Sequence, residues 1–364
     1  MANPTNSDLL LGDRAPSCIG ITAKGSLYAF EEQAGRAVVV ILAQTLEDSG
    51  LLPLLSAFSA RAEEFSSREV DLVALTGEDV ERVFEYNFHH PSRVVLVGSL
   101  NNFLRRINFD SPAAEVMVLD RNLRVARRIG TGAPEAMVAE AAMVAKGLPS
   151  EVPHDICAPA PVLLLPNVLE RELCQDLIDM HRAGPTFESP VLTTDALGRA
   201  HNKIDHTYKK RHDLLLDRDH PMHVRLAGII QKRCFAEIKR SFQSTVTHTD
   251  RFLIACYPGD GGHFRRHRDN RPDIVAFRRF AISINLTLDA NGYEGGHLRL
   301  PEFNSNPYRC PTGGAIIFSV NLLHEITPVL RGDRYTLVTH LHDDEGEAQW
   351  RAYRSSMSTV GTAD

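Results

Sequence analysis

The sequence predicts two domains of different class: an α/β layer domain with a mixed sheet over residues 1–147, and a β-sandwich or barrel with flanking helices over 162–345. Three observations carry that reading. Apolar runs of strand length alternate with stretches of helical spacing up to residue 147. Residues 147–161, GLPSEVPHDICAPAP, hold four prolines and no periodicity, which is linker composition. From Arg251 onward, short apolar runs are separated by Gly, Pro, Asn and Asp at the spacing of an all-β domain. The linker is placed at 148–161, and 346–364 is left as a C-terminal tail. A length of 364 residues suits about two or three domains.

In chain order, Val38–Gln44 is an apolar run of a buried strand, and Leu51–Phe65 has helical spacing. Val70–Thr76 and Arg93–Gly98 are further strands with a polar helical stretch between them. Glu115–Leu119 and Leu123–Ile129 flank Asp120-Arg121-Asn122, a hairpin turn. Ala133–Lys146 is an Ala-rich helix stopped by Gly147 and Pro149. The second half opens with a short apolar run, Val162–Leu165, then a helix from Glu170 to about Arg182. A long irregular segment, 184–213, precedes a helix over Pro221–Phe242. Strand-like runs follow at 251–257, 280–288, 297–300, 314–320, 323–329 and 334–341.

Composition excludes several classes. Hydrophobic residues at 43% and charged residues at 24% fit a folded soluble protein rather than a disordered or fibrous one. No apolar run reaches the ~20 residues of a bilayer span, and the first residues do not read as a signal peptide. A net charge of −6 gives no global basic field for nucleic acid. Cysteines at 18, 157, 174, 234, 256 and 310 form no CxxC pair, which suits reduced thiols in a cytoplasm.

The chemical signal lies in the histidines. His267-Arg268-Asp269 places an imidazole and a carboxylate two residues apart, so on a strand both face one side and can share a metal ion. HxD alone also occurs as a surface pair. Its context favours a site: His324 follows the apolar strand Ala315–Val320 and is the candidate third ligand. Two His and one carboxylate form the facial set of non-haem Fe(II) oxygenases. Arg334 follows His324 by ten residues, across a Gly332-Asp333 turn, where a buried guanidinium would hold the distal carboxylate of a keto-acid. Tyr257, ten residues before His267, is a second polar handle.

Three stretches carry a family resemblance. Residues 257–269, YPGDGGHFRRHRD, are similar to the YxxGxxxxxHxD of the prolyl-4-hydroxylase-like branch of 2-oxoglutarate/Fe(II) dioxygenases, with Tyr257 one residue early. Gly295-Gly296-His297-Leu298-Arg299-Leu300-Pro301 occupies the family's GGE-x-x-x-P hairpin, with His297 where Glu is frequent. Pro311-Thr312-Gly313-Gly314 through His324 to Pro328-Val329 and Gly332-Asp333-Arg334 resembles P-x-x-G…H-x-x-x-P-V-x-x-G-x-[KR]. Over roughly 160–345 the resemblance implies a double-stranded β-helix (jelly-roll) fold. It implies Fe(II) on His267, Asp269 and His324, 2-oxoglutarate on Arg334 and Tyr257, and O2 as second co-substrate. Related halogenases carry a small residue where Asp269 stands, so a carboxylate here implies hydroxylation.

The first half resembles another family. Leu11-Gly12-Asp13-Arg14-Ala15-Pro16-Ser17 is similar to the GDxAPxF opening of peroxiredoxins, and Gly25-Ser26-Leu27 and Gly35–Val40 fit the same thioredoxin-like fold. That chemistry needs a thiolate at a helix N-terminus shortly after the strand. Residues 43–50, AQTLEDSG, contain no Cys, and Cys18 lies in the opening hairpin as a small apolar residue. The domain reads as a redox-inactive scaffold that dimerises, caps the mouth or helps hold substrate.

Other residues receive weaker roles. Arg265, Arg266, Arg268, Arg271, Arg278 and Arg279 form either a solvated face or a field that attracts an anionic substrate or 2-oxoglutarate. Arg211 and Asp213, on a loop near the mouth, are candidates to orient substrate. His340 and His342 alternate on the strand after Arg334 and take a surface or supporting role. Trp350 anchors the tail. The expected function is hydroxylation of a small molecule. The alternatives are a peptidyl prolyl hydroxylase, a non-catalytic redox or oxygen-sensing adaptor, and a thiol peroxidase resting on Cys18. No nucleic-acid or membrane partner is expected, and a homodimer through the N-terminal domain is.

Overall fold

The computed structural model describes residues 8–48, 50–89, 92–148, 159–194, 200–271, 273–288 and 292–360. The chain divides into two compact units, Met1–Pro153 and His154–Asp364. Most of the expected linker, 148–161, lies outside the described residues.

In the first unit the apolar runs become β1 (Ile19–Thr22), β2 (Leu27–Ala29), β3 (Ala37–Ala43), β4 (Val70–Thr76), β5 (Val95–Gly98), β6 (Glu115–Leu119) and β7 (Val125–Ile129). They form one sheet in the order β2-β1-β5-β4-β3-β6-β7. β3 pairs in parallel with β4 and β4 with β5, while β6 and β7 run antiparallel, giving a thioredoxin-like mixed sheet. β3 is a continuous apolar run because both faces are covered. Val39 and Ile41 enter one core with helices α1 (Leu51–Ala60), α2 (Ala62–Ser66), α3 (Val80–His89) and α5 (Pro134–Gly147); Val38, Val40 and Leu42 enter another with α4 (Asn101–Arg106). The helix expected over Leu51–Phe65 is broken at Arg61, whose φ of −110° leaves the helical range. α4 was not expected, since six residues are too few for the apolar period to register.

The loop after β3 holds no cysteine. The Asp48 carboxylate closes it, accepting from Gln44 N at 2.6 Å, Thr45 N at 3.1 Å and Thr45 Oγ1 at 2.6 Å. Cys18 directly precedes β1, and burial pushes its thiol up to about 12, so it stays protonated and a poor nucleophile at neutral pH.

The second unit opens with β8 (Val162–Leu165) and α6 (Arg171–Ala183). The segment expected to be irregular carries β9 (Phe187–Glu188), the hairpin β10 (Val191–Thr194) and β11 (Ala200–Lys203), then β12 (Lys209–Lys210) and β13 (His212–Leu216). Next come α7 (Pro221–Ile230) and α8 (Ala236–Phe242), joined through a π-helical turn at Gln231–Phe235. The remaining strands are β14 (His248–Thr249), β15 (Phe252–Tyr257), β16 (His263–His267), β17 (Phe280–Asn285), β18 (Glu294–Gly295), β19 (Leu298–Arg299), β20 (Ala315–Ser319), β21 (His324–Ile326), β22 (Val329–Arg331) and β23 (Arg334–His342).

Most of these strands build two facing sheets, a large one in the order β8-β20-β17-β23-β15-β13-β9, with β14 beside β23, and a small one in the order β12-β16-β21-β19; β10 with β11 and β18 with β22 form separate pairs. Strand alternation assigns the faces. Ile282 and Ile284 pack with α6, α7 and α8, whereas Ala281 joins Tyr257, Phe318, Leu298 and Ile326 in a core contributed by both sheets. This is the double-stranded β-helix, with its cleft where the sheets part. The tail is the helix α9 (Asp344–Val360), and the Arg218 guanidinium sits 4.6 Å over the Trp350 ring. Among the described residues, no helix is long and apolar enough to cross a membrane.

Candidate active site

β16 and β21 pair antiparallel with His267 directly opposite His324, so both rings reach the same side of the small sheet. The His267 ring stacks on Phe264 with centroids 3.5 Å apart, and the edge of Phe318 meets His324 at 4.7 Å. Each histidine donates from Nδ1 to a nearby carbonyl, His267 to Arg265 O at 2.7 Å and His324 to Leu322 O at 3.0 Å. That fixes the tautomer and leaves Nε2 as the free lone pair.

Asp269 reaches the same point by a different route from the one expected. β16 ends at His267, and Asp269 lies in the following turn, so strand alternation does not place it. Its backbone N instead donates to Val320 O at 3.2 Å, which ties the turn to the end of β20. Its carboxylate oxygens stand 3.4 Å from His267 Nε2 and 3.4 Å from His324 Nε2. Donor atoms of the three residues lie within 4.8 Å of one another. Burial opposes the Asp269 carboxylate, yet the His324 and His340 rings facing it outweigh that and hold its pKa well below the usual range. Burial, and then the neighbouring His267 ring, lowers His324 to about 4. At neutral pH the cluster is therefore a carboxylate with a neutral His324, the ionisation a divalent metal needs.

His340, given a surface or supporting role from the sequence, is buried, with Nε2 3.3 Å from Asp269 Oδ2. It bears on the carboxylate oxygen that faces His324 and so positions the ligand. His340→Ala is expected to weaken Fe(II) binding about 10–100-fold, as loss of a group that orients a ligand does elsewhere, with His340→Gln retaining most of it. Metal titration of the three proteins checks this, and equal affinities for parent and His340→Ala would remove His340 from the site.

The co-substrate end lies on the large sheet. Arg334 opens β23 opposite Tyr257 of β15, its guanidinium 5.1 Å over the Tyr257 ring. Nη2 reaches Ser283 Oγ at 3.5 Å, and Nη1 is buried without a hydrogen-bond partner. Gly296 keeps room for it, since a Cβ there would stand 3.0 Å from Arg334 Cδ. Arg211 and Asp213, expected on a loop, sit at and within β13 as a buried ion pair at 2.6 Å. Arg211 also donates to Tyr257 Oη at 3.2 Å, and Asp213 accepts from Ser189 Oγ at 2.5 Å. The cleft beside these groups has a volume of about 1410 Å³ and is lined by His267, Asp269, His324, Tyr257, Arg211 and Ser283 among others, with Arg334 behind Tyr257 and Ser283. Single small-molecule sites run to about 1,000 Å³, so there is room for two ligands. Among the basic residues singled out from the sequence, Arg266 pairs with Glu325, Arg268 with Glu302, Arg278 with Asp250 and Arg279 with Asp343, so most of that field is neutralised.

A family model described as the 2OG-Fe(II) oxygenase superfamily matches residues 252–342, the stretch holding the three ligands, Tyr257 and Arg334. A PKHD-type hydroxylase of Pseudomonas fluorescens is 30% identical over 166 residues, covering 40% of this chain and 72% of that protein. The chain belongs to the 2OG-Fe(II) oxygenase superfamily. A PKHD-type hydroxylase of Pseudomonas paraeruginosa is 31% identical over 135 residues, covering 35% of this chain, which spans 58% of that relative's length. Among solved structures, a Pseudomonas putida prolyl-4-hydroxylase is similar at a TM-score of 0.39 and 18% identity, covering 50% of this chain and 92% of its own. The peroxidoxin BcpB of Mycobacterium tuberculosis is similar at 0.36 and 13%, covering 39% of this chain and 99% of its own.

The oxygenase family uses Fe(II), 2-oxoglutarate and O2, and the residues present fit them. Two imidazoles and a carboxylate suit a divalent iron that keeps open positions. The orphaned Arg334 Nη1 suits a carboxylate that this chain does not itself supply.

Proposed function

We propose that the chain hydroxylates an unactivated C–H bond of a small molecule, an amino acid derivative or metabolite, with succinate and CO2 as co-products. The observation that carries this reading is the junction, in one domain, of the His267–Asp269–His324 cluster with the orphaned Arg334 guanidinium. Held on those three ligands, Fe(II) with 2-oxoglutarate would supply the oxidising chemistry. The chain's own residues do the rest. His267 and His324 present Nε2 in a fixed tautomer, and His340 steadies Asp269. Arg334 binds the distal carboxylate of 2-oxoglutarate, and Tyr257 lies against it with its hydroxyl oriented by Arg211. Asp213 acts on substrate only through Arg211, whose guanidinium it neutralises. The Asp269 carboxylate fills the position that a halide would need.

A polypeptide substrate is the second reading, favoured by the hairpin β10–β11, whose Val191, Leu192 and Thr193 border the cleft. The N-terminal domain enters as a redox-inactive scaffold. Its exposed Ile19 and Leu27, on one face of the paired β1 and β2, supply an apolar surface for pairing two chains.

Anaerobic titration with Fe(II) and 2-oxoglutarate tests the reading. The weak visible charge-transfer band of the chelate is expected, followed by succinate release that an amino acid derivative stimulates more than a peptide does. Folded, iron-loaded protein that shows no band would overturn it.

A further inference from the structure

Among the described residues, four of the cations lining the cleft, Arg211, Arg266, Arg268 and Arg278, are matched by carboxylates; Arg251, Lys209 and Arg271 are not, and the first two of these border one further part of the cavity. Arg251 immediately precedes β15, and Arg251, Leu253 and Tyr257 fall on one face by strand alternation, all lining the cleft. Its neighbouring carboxylates are already engaged: Asp250 by Arg278 at 2.7 Å and Asp213 by Arg211 at 2.6 Å. No ion pair to Arg251 exists among the described residues, while Arg278 and Arg211 add like charge beside it. Lys209 is buried and lines the same cleft. Its Nζ donates to Pro190 O at 3.2 Å and stands 4.6 Å over the Phe264 ring, and no carboxylate pairs with it among the described residues. Burial is the largest cause lowering the pKa of Lys209, and like charge from Arg211 adds to it, whereas Arg251 is exposed at the rim of the cleft.

Position separates this pair from the co-substrate end. Arg251 lies six residues from Tyr257, or about 20 Å of strand, and Tyr257 is the partner of Arg334. The backbone N of Asp250 donates to His340 O at 2.8 Å, so Arg251 emerges beside the histidine that bears on Asp269. An anion bound at Arg251 therefore sits at the metal end of the cleft, whereas Arg334 lies beside Tyr257 at the other end of β15. The adjoining part of the cavity, about 520 Å³, adds apolar wall from Phe187, Leu192, Leu253 and Val275.

We infer that the substrate of this oxygenase is an amphipathic anion, its carboxylate or phosphate docked between Arg251 and Lys209 and its apolar part against Leu192 and Leu253. Neither the buried Lys209 nor the exposed Arg251 has a carboxylate partner among the described residues, and such a ligand would supply one to both. This inference rests on the oxygenase reading for the geometry of the loaded site, and its test separates the two.

Full-length protein is loaded anaerobically with Fe(II) and saturating 2-oxoglutarate, so that Arg334 is occupied, and the chelate band is recorded. Calorimetric titrations then use N-acetyl-L-phenylalanine, its neutral amide and phenyl phosphate. At least one anion is expected to bind tenfold or more tightly than the amide. Arg251→Gln should cut that preference below threefold, Lys209→Met should reduce it in part, and the 2-oxoglutarate midpoint of the band should stay within twofold. A preference for the acid identifies a carboxylate, and a preference for phenyl phosphate alone identifies a phosphate. Equal binding of acid and amide, a preference that survives Arg251→Gln, or no binding of either anion at 10 mM (roughly ten times the concentration that matches a millimolar Kd) overturns the inference while the band leaves the oxygenase reading standing. Loss of the band itself counts against that reading alone.

Discussion

His324→Ala protein is expected to hold Fe(II) at least about 100-fold more weakly than its parent and to give no chelate band with 2-oxoglutarate. Removing a mere supporting partner of a ligand typically costs 10–100-fold, and His324 supplies a ligand atom directly. The loss should be specific. His324 is buried against Phe318, so the change leaves a ring-sized void beside His267. β21 keeps its backbone pairing with β16 and β19, because none of those hydrogen bonds uses the side chain. Far-ultraviolet circular dichroism should therefore match the parent. Free imidazole added at millimolar concentration can occupy the void and restore part of the band. A band of parental strength without imidazole would remove His324 from the metal site.

The His267–Asp269–His324 cluster was legible as candidate ligands because it is written as short local spacings beside strongly apolar strands. The physical reason given for one member was wrong. His267 and His324 do face each other across a strand pair, but Asp269 is brought in by a turn anchored on Val320 O, which no period-two rule describes. The sequence singles out His340 for a surface or supporting role, and strand alternation favours the supporting one. From Arg334, alternation along β23 puts Thr336, Val338 and His340 on one face, so a co-substrate arginine at its start implies a histidine on the same face six residues later. The same count back along β15 from Tyr257 reaches Arg251. His340 depends on Asp269, some seventy residues earlier, and Arg251 stands unpaired because Arg278, 28 residues beyond Asp250, takes the carboxylate next to it.

The fold shows the same division. β17 and β20 were plain as apolar runs, since they carry core residues on both faces. Strands of two residues such as β9, β12 and β18 have no period to detect and exist only because a longer strand offers them hydrogen bonds. That is why 184–213 reads as irregular and folds as the border of the cleft. In the first unit the missing cysteine was decisive, and the structure adds what stands in its place: a loop tied down by the Asp48 carboxylate, with the one nearby thiol, Cys18, held protonated by burial.

Arg334→Ala should leave Fe(II) binding within about threefold of the parent and raise the 2-oxoglutarate concentration needed for half the chelate band by roughly 100–1,000-fold. A hydrogen bond to a charged group is worth about 1.5–3 kcal/mol, and a planar guanidinium offers a carboxylate two of them. A total near 3–4 kcal/mol corresponds to that range at about 1.4 kcal/mol per tenfold. The free protein already shows the imbalance that 2-oxoglutarate would relieve: Nη1 is buried and unpartnered, and Nη2 has only the long 3.5 Å contact to Ser283. Arg334→Lys keeps the charge but not the fork, and should fall between parent and alanine variant. The split between the two titrations is what a structural role alone would not produce, because misfolding of β23 would also displace His340 and loosen the metal. If Arg334→Ala lowered Fe(II) and 2-oxoglutarate affinity together, or left the 2-oxoglutarate midpoint unchanged, the distal carboxylate would have to be assigned to another cation in the cleft. Arg211 is the next in line, since it already touches the Tyr257 hydroxyl, and Arg211→Ala would then carry the defect expected of Arg334.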